Sequence, residues 1–308
     1  MMHRVSGSLR EELGAIEAIL HGGNLGVAAA DFASGETLLH NADWTFPTAS
    51  VIKGPIVAAL HAGAVEGTLS LDEAVEVLPE DVVAGSGVLG KLTPGVRLPL
   101  RDLALLAIMV SDNTASNLCL RAAGGPEAVN RRMHEEWEMP GTTIHRPIKF
   151  ELTADDPPHT ATGTPQDMMR FMDAVARGTL HSDAVCDGVK ELLATTIDSA
   201  MLPRYLEVNP HAADLRVARP HYTVLHKTGA VNGVRNDAGI IRRDTPPFGH
   251  IAICVYTKGV KDARWTPANA GCEAVSRVAR LLVHRFWEKG DDRAPTPPSP
   301  PGADGAAS

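Results

Sequence analysis

The chain has few aromatic residues and no excess of positive charge. Phe, Trp and Tyr make up 4% of its 308 residues, and the formal net charge is −8 at pH 7. Nucleic-acid-binding proteins concentrate lysine and arginine to neutralise phosphates. Because this chain is acidic overall, we expect no nucleic-acid partner.

Long apolar runs are also missing. No stretch reaches the roughly 20 apolar residues that a membrane-spanning helix needs, so we expect no membrane partner. Near the N-terminus, Arg10, Glu11 and Glu12 interrupt the apolar core that an export signal requires. We therefore expect a cytoplasmic protein as the sequence stands, and a periplasmic or secreted one if a leader has been removed.

Paired cysteines and metal-binding patterns are missing too. The cysteines lie far apart without CxxC spacing and among apolar neighbours, which favours reduced core residues. HEEWE at 134–138 lacks the second histidine of a zinc-protease helix. We expect no metal and no organic cofactor. The four cysteines are Cys119, Cys186, Cys254 and Cys272.

The composition that remains is that of a globular protein, with 44% hydrophobic and 21% charged residues. The length fits one large fold or two closely packed lobes, and we expect a monomer. The C-terminal stretch APTPPSPPGADGAAS has no large apolar side chain. We therefore assign 1–290 to a single folded unit and 291–308 to a disordered tail.

Helical and strand patterns alternate along the folded unit in three blocks. Residues 9–20 have the spacing of an amphipathic helix, and 25–42 read as two strands joined by a turn. From Tyr222 onward, YTVLHKTG, DAGIIRR and HIAICVYT are β-rich, and a closing helix follows. Between these ends, the pattern predicts helices at 50–65, 101–110, 114–123, 126–137, 165–177 and 183–195.

Strands at both ends with helices between them indicate an α/β fold of the α+β type. The N- and C-terminal segments form one antiparallel sheet flanked by helices, and the middle forms an all-helical lobe. We place the α/β lobe at 1–45 and 200–290 and the helical lobe at 46–199. A cleft between the lobes is the expected place for a site.

The stretch TFPTASVIKGPIVAALHAG places Ser50 and Lys53 at the start of an apolar helix. At this spacing the lysine amine lies on the same face as the hydroxyl. A serine nucleophile needs a base, and a lysine can be that base if burial and positive neighbours lower its pKa. The pair alone is weak evidence, because this spacing is more typical of a helix-capping serine with a solvated lysine.

Two further motifs change that interpretation. Ser111-Asp112-Asn113 follows the apolar helix RDLALLAIMV, and Lys227-Thr228-Gly229 ends a predicted strand. Ser-x-x-Lys, Ser-Asp-Asn and Lys-Thr-Gly in this order are the signature of class A β-lactamases and penicillin-binding proteins. From the first hairpin to the last helix, the chain resembles the class A β-lactamase-like serine hydrolases.

The resemblance implies roles for the residues that carry the motifs. Ser50 would be the acyl-accepting nucleophile, Lys53 its proton-transfer partner, and Ser111 a relay to the leaving nitrogen. The backbone N–H groups of Ser50 and Ala230 would form the oxyanion hole. Asn113 would hold the amide of the substrate side chain.

Other residues would bind the substrate carboxylate. The resemblance assigns this to Lys227 and Thr228, and Lys227 would also keep Lys53 neutral. Gly229 fits a strand edge that must approach a ligand closely, without room for a Cβ. Arg235 would correspond to the arginine that often follows Lys-Thr-Gly in the family, whereas Asp237 is expected to be structural.

The loop before Thr164-Pro165 departs from the family pattern. Class A enzymes position the deacylating water with a glutamate and an asparagine here, but HRPIKFELTADDPPHTATGTPQDMM lacks Glu-x-x-Leu-Asn. A gap-free count places the glutamate position at Ile148. Glu151 is our preferred replacement, with Asp155 and Asp156 as alternatives.

Three functions remain open at this point. The first is β-lactam amide hydrolysis through a Ser50 acyl-enzyme. The second is a D-amino-acyl peptidase or esterase with weak or no lactamase turnover, which the missing loop pair favours. The third is a catalytically retired module that binds a ligand or a protein partner.

One loop sequence invites a different assignment. GSGVLGKL at 85–92 matches Gly-x4-Gly-Lys of a phosphate-binding loop, but Leu92 stands where a serine or threonine must bind Mg²⁺. We expect this segment to form a loop at the rim of the cleft.

Overall fold

The protein is described from a computed structural model that defines residues 7–93, 95–206, 208 and 221–288. The elements in chain order are α1 (Gly7–Ala18), β1 (Asn24–Asp31), β2 (Thr37–His40), β3 (Phe46–Pro47), a 3₁₀ turn (Ala49–Ile52), α2 (Lys53–Val65), β4 (Ala74–Glu76), β5 (Arg97–Pro99), α3 (Leu100–Met109), α4 (Asn113–Ala122), α5 (Gly125–Arg131) continued by a π turn (Arg132–Glu136), β6 (Thr143–Ile144), α6 (Phe150–Asp155), β7 (Ala161–Gly163), α7 (Pro165–Arg177), α8 (Asp183–Leu193), β8 (Tyr222–Val231), β9 (Val234–Arg243), β10 (Gly249–Lys258) and α9 (Ala270–Trp287).

A five-stranded antiparallel sheet joins the N- and C-terminal segments, as predicted. Its order is β2-β1-β10-β9-β8, and β1 pairs with β10 so that Val27 lies opposite Val255. The side chains alternate between two cores, because successive residues of a strand point to opposite faces. On β10, Ile253 and Val255 enter the core that contains α1 and α9, whereas Cys254 enters the core shared with the helical lobe.

The helical lobe is built around α2, whose residues are apolar on nearly every side. Ten of its residues are buried, Lys53 among them. Helices α3, α4 and α8 pack against α2, and α7 packs against α8. The predicted helices in this segment are all present, with two local changes: the helix predicted to begin at Ser50 begins as a 3₁₀ turn, and the one at 126–137 ends in a π turn.

Several smaller predictions can also be compared with the structure. The cysteines are free and buried, as expected. Thr164 caps α7 by accepting a hydrogen bond from the Asp167 N–H at 3.1 Å. The short helix α6 and the strands β3 to β7 were not predicted. The tail predicted at 291–308 lies outside the described residues, and the lobe boundaries stay predictions.

In the described part of the chain, no helix is both long enough and apolar enough to cross a bilayer.

Candidate active site

A cavity of about 440 Å³ lies where β8 faces the helical lobe. Five of the residues singled out in the sequence line it together. They come from the 3₁₀ turn before α2, from the end of α3 and from β8, three segments that are distant in sequence. These residues are Ser50, Ser111, Lys227, Thr228 and Ala230.

The nucleophile candidate is carried by a tightly bent segment. Ala49, the first residue of the 3₁₀ turn, has φ +47°, so the backbone bends just before Ser50. Ser50 is half-buried, and the Lys53 N–H bonds to the carbonyls of Ser50 and Val51. The turn therefore presents the Ser50 side chain to the cavity from the start of a buried helix.

Lys53 lies behind the cavity wall, fully buried. Its Nζ donates to the Ser111 carbonyl at 2.6 Å and to Asn113 Oδ1 at 2.8 Å, and lies 3.2 Å from Ser111 Oγ. Among the hydrogen bonds of the described residues, none joins Lys53 Nζ to Ser50 Oγ. The direct contact implied by the Ser-x-x-Lys spacing is thus replaced by contacts with the Ser-Asp-Asn segment.

The electrostatic environment of Lys53 favours the neutral amine. Burial, followed by repulsion from Lys227, holds its pKa well below the usual value, against the opposing influence of Asp112 and Cys119. A neutral amine has two N–H bonds, and the oxygens of Ser111 and Asn113 can accept both. Its lone pair is then left for the Ser111 hydroxyl.

Lys227 approaches the same hydroxyl from the other side. Its Nζ donates to Ser111 Oγ at 3.1 Å and to the Thr228 carbonyl at 2.7 Å. Burial lowers its pKa to about 8, although Asp237 and Asp198 act to raise it. Ser111 Oγ therefore lies between two buried lysines, and the three side chains form a continuous path for a proton.

Ser111 is held in this position by its backbone. It has φ +55°, a left-handed conformation that side chains other than Gly seldom adopt. Ser86 Oγ donates to its carbonyl at 2.7 Å, and Asp112 caps α4 by accepting the Ala115 N–H at 2.9 Å. Asp112 also accepts two N–H bonds from the 88–89 backbone. This ties the 85–92 loop to the site, and Gly85 and Ser86 line the cavity as a rim loop would.

Asn113 is almost fully buried and does not line the cavity. Its Oδ1 accepts from Lys53, and its Nδ2 donates to the Ala84 carbonyl at 2.8 Å. The second N–H of the amide makes no hydrogen bond among the described residues, and the predicted contact with the substrate amide stays a prediction. The contacts seen here position Lys53 and the rim loop.

The hydrogen-bonding direction of Ala230 follows from the pairing of β8 with β9. Ala230 lies opposite Arg235. The backbone N–H of Arg235 donates to Thr257 Oγ1 at 2.8 Å, and the backbone carbonyl of Arg235 accepts from the same hydroxyl at 2.7 Å. Those groups therefore point toward β10, which makes Ala230 and Arg235 a non-hydrogen-bonded pair. The Ala230 N–H then faces the open edge of β8, where the Ser50 turn lies.

Gly229 is required for a different reason from the one predicted. A Cβ at this position would lie 2.9 Å from the Ser50 nitrogen and 3.0 Å from the Thr48 oxygen and the Val51 nitrogen. The close approach is to the turn that carries the nucleophile candidate, rather than to a ligand. Gly229 thereby lets the two backbone N–H groups of the predicted oxyanion hole come together.

Arg235 does not occupy the predicted substrate-binding position. It is buried and does not line the cavity, and its guanidinium donates to the carbonyls of Val231, Val234 and Arg264. It stacks on the Trp265 ring at 4.4 Å. Because its donors are used by the backbone, Arg235 supports Trp265, which does line the cavity.

Glu151 also lies elsewhere than predicted. It is exposed on α6 and lines a separate cavity of about 710 Å³, together with Ile148 and Lys149. Asp155 and Asp156 are exposed and line neither of these two cavities. Among the described residues of this loop, Phe150 is the one that lines the Ser50 cavity.

Other residues of the site were missed because no motif marks them. Asp198 and Trp265 lie in irregular segments, and their position depends on how those segments fold back onto β8. Asp237, expected to be structural, accepts the Leu202 N–H at 3.0 Å and bonds His226 Nδ1 at 2.9 Å in the interior. His226 precedes Lys227 on β8, and Asp237 lies opposite Thr228 on β9.

Comparisons with known proteins identify the family of the chain. A family model described as the beta-lactamase enzyme family matches residues 8–286. The beta-lactamase of Streptomyces lavendulae is 32% identical over 232 residues, which cover 71% of this chain and 70% of that protein.

Solved structures show the same similarity. A beta-lactamase from Sphaerobacter thermophilus superposes with a TM-score of 0.77 at 29% identity, covering 90% of this chain and 95% of that one. PBP-A superposes with a TM-score of 0.79 at 25% identity, covering 94% and 99%. With the family model spanning nearly the whole chain and the three motifs meeting at one cavity, the protein belongs to the beta-lactamase enzyme family.

Proposed function

We propose that this protein is a serine acyl hydrolase of the class A type that opens a β-lactam amide through an acyl-enzyme at Ser50. The observation that carries the proposal is the hydrogen-bonded path from the buried Lys53 through Ser111 Oγ, at the cavity wall, to the buried Lys227. Desolvating two lysines is costly, and a protein needs a reason to retain them. Proton transfer at the cavity wall supplies that reason.

Acylation follows from the positions of these groups. Ser50 Oγ attacks the carbonyl carbon of the amide, and its proton passes to the neutral amine of Lys53 as substrate binding tightens the site. The N–H groups of Ser50 and Ala230 stabilise the oxyanion. The C–N bond then breaks, and the amide nitrogen takes the Ser111 proton while Lys53 returns one to Ser111.

Binding requires a negative charge on the substrate. Thr228 and the protonated Lys227 bind a carboxylate at the end of β8, whereas Asn113, which does not line the cavity, acts by positioning Lys53. Lys227 also keeps Lys53 neutral by repulsion, so the same charge serves substrate binding and base activation.

Deacylation is expected to be slow. Hydrolysis of the ester needs a base near a water molecule, and no carboxylate of the described 148–156 loop lines the cavity. The same observation favours a second candidate, a D-amino-acyl peptidase or esterase with weak lactamase turnover. A retired binding module is disfavoured, because binding alone does not require a buried neutral lysine.

An intact-mass time course with benzylpenicillin tests these alternatives, with Ser50→Ala as the control. A Leu-to-Glu variant of PBP-A has been solved as an acyl-enzyme complex with penicillin G, so the probe suits this fold. We expect an adduct that persists and decays slowly. Rapid product formation would show efficient deacylation, and an adduct in Ser50→Ala would exclude Ser50 as the nucleophile.

A complete absence of adduct and product would remove β-lactams from the proposal. D-alanyl esters and D-peptides would then be tested on the same two proteins. A binding module would leave all of these substrates unchanged.

A further inference from the structure

The two sides of the Ser50 cavity carry opposite charges. Lys227 lies on β8 with its ammonium turned to Ser111 and to the Thr228 carbonyl. Asp198, in the segment after α8, is the one carboxylate among the described residues that line this cavity. The cavity therefore offers an anion site and a separate cation site.

Asp198 is held in place by a backbone hydrogen bond and forms no ion pair within the described part of the chain. Its Oδ1 accepts the Ala200 N–H at 3.0 Å, which fixes the carboxylate on its own loop. No ion pair to Asp198 occurs among the described residues, and its side chain is exposed. A carboxylate that is oriented, accessible and unpaired at a cavity wall is available to a ligand.

The surroundings of Asp198 in the cavity are apolar and unusually open. Ile197 is 59% exposed and Trp265 is 60% exposed, and both line the cavity. Trp265 is fixed from one side by the Arg235 guanidinium, 4.4 Å from its ring. Apolar surface beside a carboxylate without an ion pair is complementary to a group that has an apolar stem and a positive end.

The side of the substrate that meets this surface follows from the position of Lys227. Asp198 lines the cavity together with Trp265, and Trp265 is held against Arg235, which pairs with Ala230 near the end of β8 that carries Lys227 and Thr228. Asp198 therefore lies on the carboxylate-binding side. In a β-lactam, and in a peptide with a free C-terminus, the carboxylate is attached on the leaving-nitrogen side of the scissile bond.

We propose that Asp198, Ile197 and Trp265 form a subsite for a cationic substituent with an apolar stem on the leaving-nitrogen side of the substrate. The preferred substrates are then zwitterionic there: a carboxylate at Lys227 and Thr228, and a positive group at Asp198. In a peptide this corresponds to a C-terminal residue with a lysine-like side chain. The inference rests on the proposed function for its kinetic test, but not for its binding test.

The kinetic test uses two cephalosporins with the same acyl side chain. Cephaloridine carries a cationic pyridiniomethyl group at C3, and cephalothin carries a neutral acetoxymethyl group. The ratio of their second-order acylation rates is measured in the wild type, in Asp198→Asn and in Asp43→Asn. Asp43 is an exposed acid that does not line the cavity, so its variant makes the same charge change elsewhere.

The ratio cancels any effect of Asp198 on Lys227, which both substrates share. We expect Asp198→Asn to lower the cephaloridine-to-cephalothin ratio up to about fivefold, the usual range for a solvent-accessible charge pair. Added salt should reduce the wild-type ratio. An unchanged ratio in Asp198→Asn, or an equal fall in Asp43→Asn, would overturn the proposal.

A binding test remains decisive if neither cephalosporin acylates Ser50. Nα-acetyl-D-lysine and Nα-acetyl-D-norleucine share a carboxylate and an apolar stem, and only the first carries an ammonium. Titration calorimetry should show tighter binding of the lysine compound to the wild type and loss of this preference in Asp198→Asn. Equal affinities in the wild type would refute the subsite, whereas missing acylation alone would refute only the proposed function.

Discussion

The two walls of the Ser50 cavity differ in how their polar groups are arranged. On the β8 side, Lys53, Ser111 and Lys227 form an unbroken chain of hydrogen bonds, with Ser111 at the cavity wall between the two buried lysines. On the loop side, Phe150 faces the cavity while Glu151 lies on the surface of another one. The wall that would form the acyl-enzyme has its groups in place, and the wall that would activate water contributes an aromatic ring.

This difference separates the two half-reactions of an acyl hydrolase. Acylation needs a base, a proton donor and an oxyanion hole, which one set of regular elements supplies. Deacylation needs a further base, and its position depends on a loop. A family member can therefore retain the first half-reaction while the second varies with loop sequence.

Removing the base should have the largest effect. Lys53→Met keeps the volume of a long side chain but cannot accept a proton, so we expect the acylation rate constant to fall about 10³-fold. The exposed residue Lys261 offers a matched control, because Lys261→Met should leave the rate unchanged. Stopped-flow acylation with a chromogenic cephalosporin measures both. Acylation at the wild-type rate by Lys53→Met would assign the base elsewhere.

Displacing the nucleophile turn should have the next largest effect. The Cβ of Gly229→Ala would push against backbone atoms of Thr48, Ser50 and Val51, which cannot rotate away. A shift of about 1 Å at the reacting atom can cost 10²-fold, so we expect about that loss in acylation. The comparison variant is Gly14→Ala, where a Cβ meets no neighbour within 4 Å. Full activity in Gly229→Ala would show that the turn is not rigid.

The loop wall can be given the missing carboxylate. Phe150→Glu places an acid in the cavity, and we expect deacylation to accelerate at least about tenfold while acylation changes little. Glu151→Gln should change neither rate, because Glu151 lies outside this cavity. Decay of the acyl-enzyme followed by intact mass distinguishes the two steps.

The gap-free count from Thr164 gives a competing prediction for the same wall. If Ile148→Glu accelerates deacylation and Phe150→Glu does not, the position of the base follows the sequence register. The residue that lines the cavity would then not mark that position. Phe150→Leu serves as the control for loss of the ring alone.

The smallest expected effect is on the pH profile. Carboxylate binding needs protonated Lys227, whose pKa is about 8, so kcat/KM for an anionic substrate should fall as the pH rises through that value. Removing the negative charge of Asp198 makes the ammonium less favourable and lowers this pKa. In Asp198→Asn, the alkaline fall in kcat/KM should therefore occur at a pH lower by a few tenths of a unit, within the usual range for exposed charge pairs. A shift of this fall to higher pH would contradict its assignment to Lys227.

The parts of the site that could be predicted from sequence are those fixed by regular elements. Ser50 and Lys53 lie at a constant spacing before one helix, Ser111 follows another, and Lys227 lies within a strand. Their relative positions then depend only on how a sheet packs on a helical lobe. The antiparallel sheet and the long helices were predicted for the same reason, since their apolar periodicity is strong.

The residues that could not be predicted lie where tertiary contacts choose the path of the chain. Counting along the 148–156 loop gives no orientation for Phe150 or Glu151, because α6 is only six residues long. Asp198 enters the cavity through an irregular segment without a motif. The predicted role of Arg235 was wrong because strand register placed its guanidinium among backbone carbonyls instead of in the cleft.

The fit of Gly229 against the Ser50 turn also affects the solubility of the fold. Strand β8 is at the edge of the five-stranded sheet, and an uncovered edge can pair with a strand from another molecule. The Ser50 turn lies against this edge and blocks such pairing. A variant that loosens the turn would therefore be expected to aggregate as well as to lose activity.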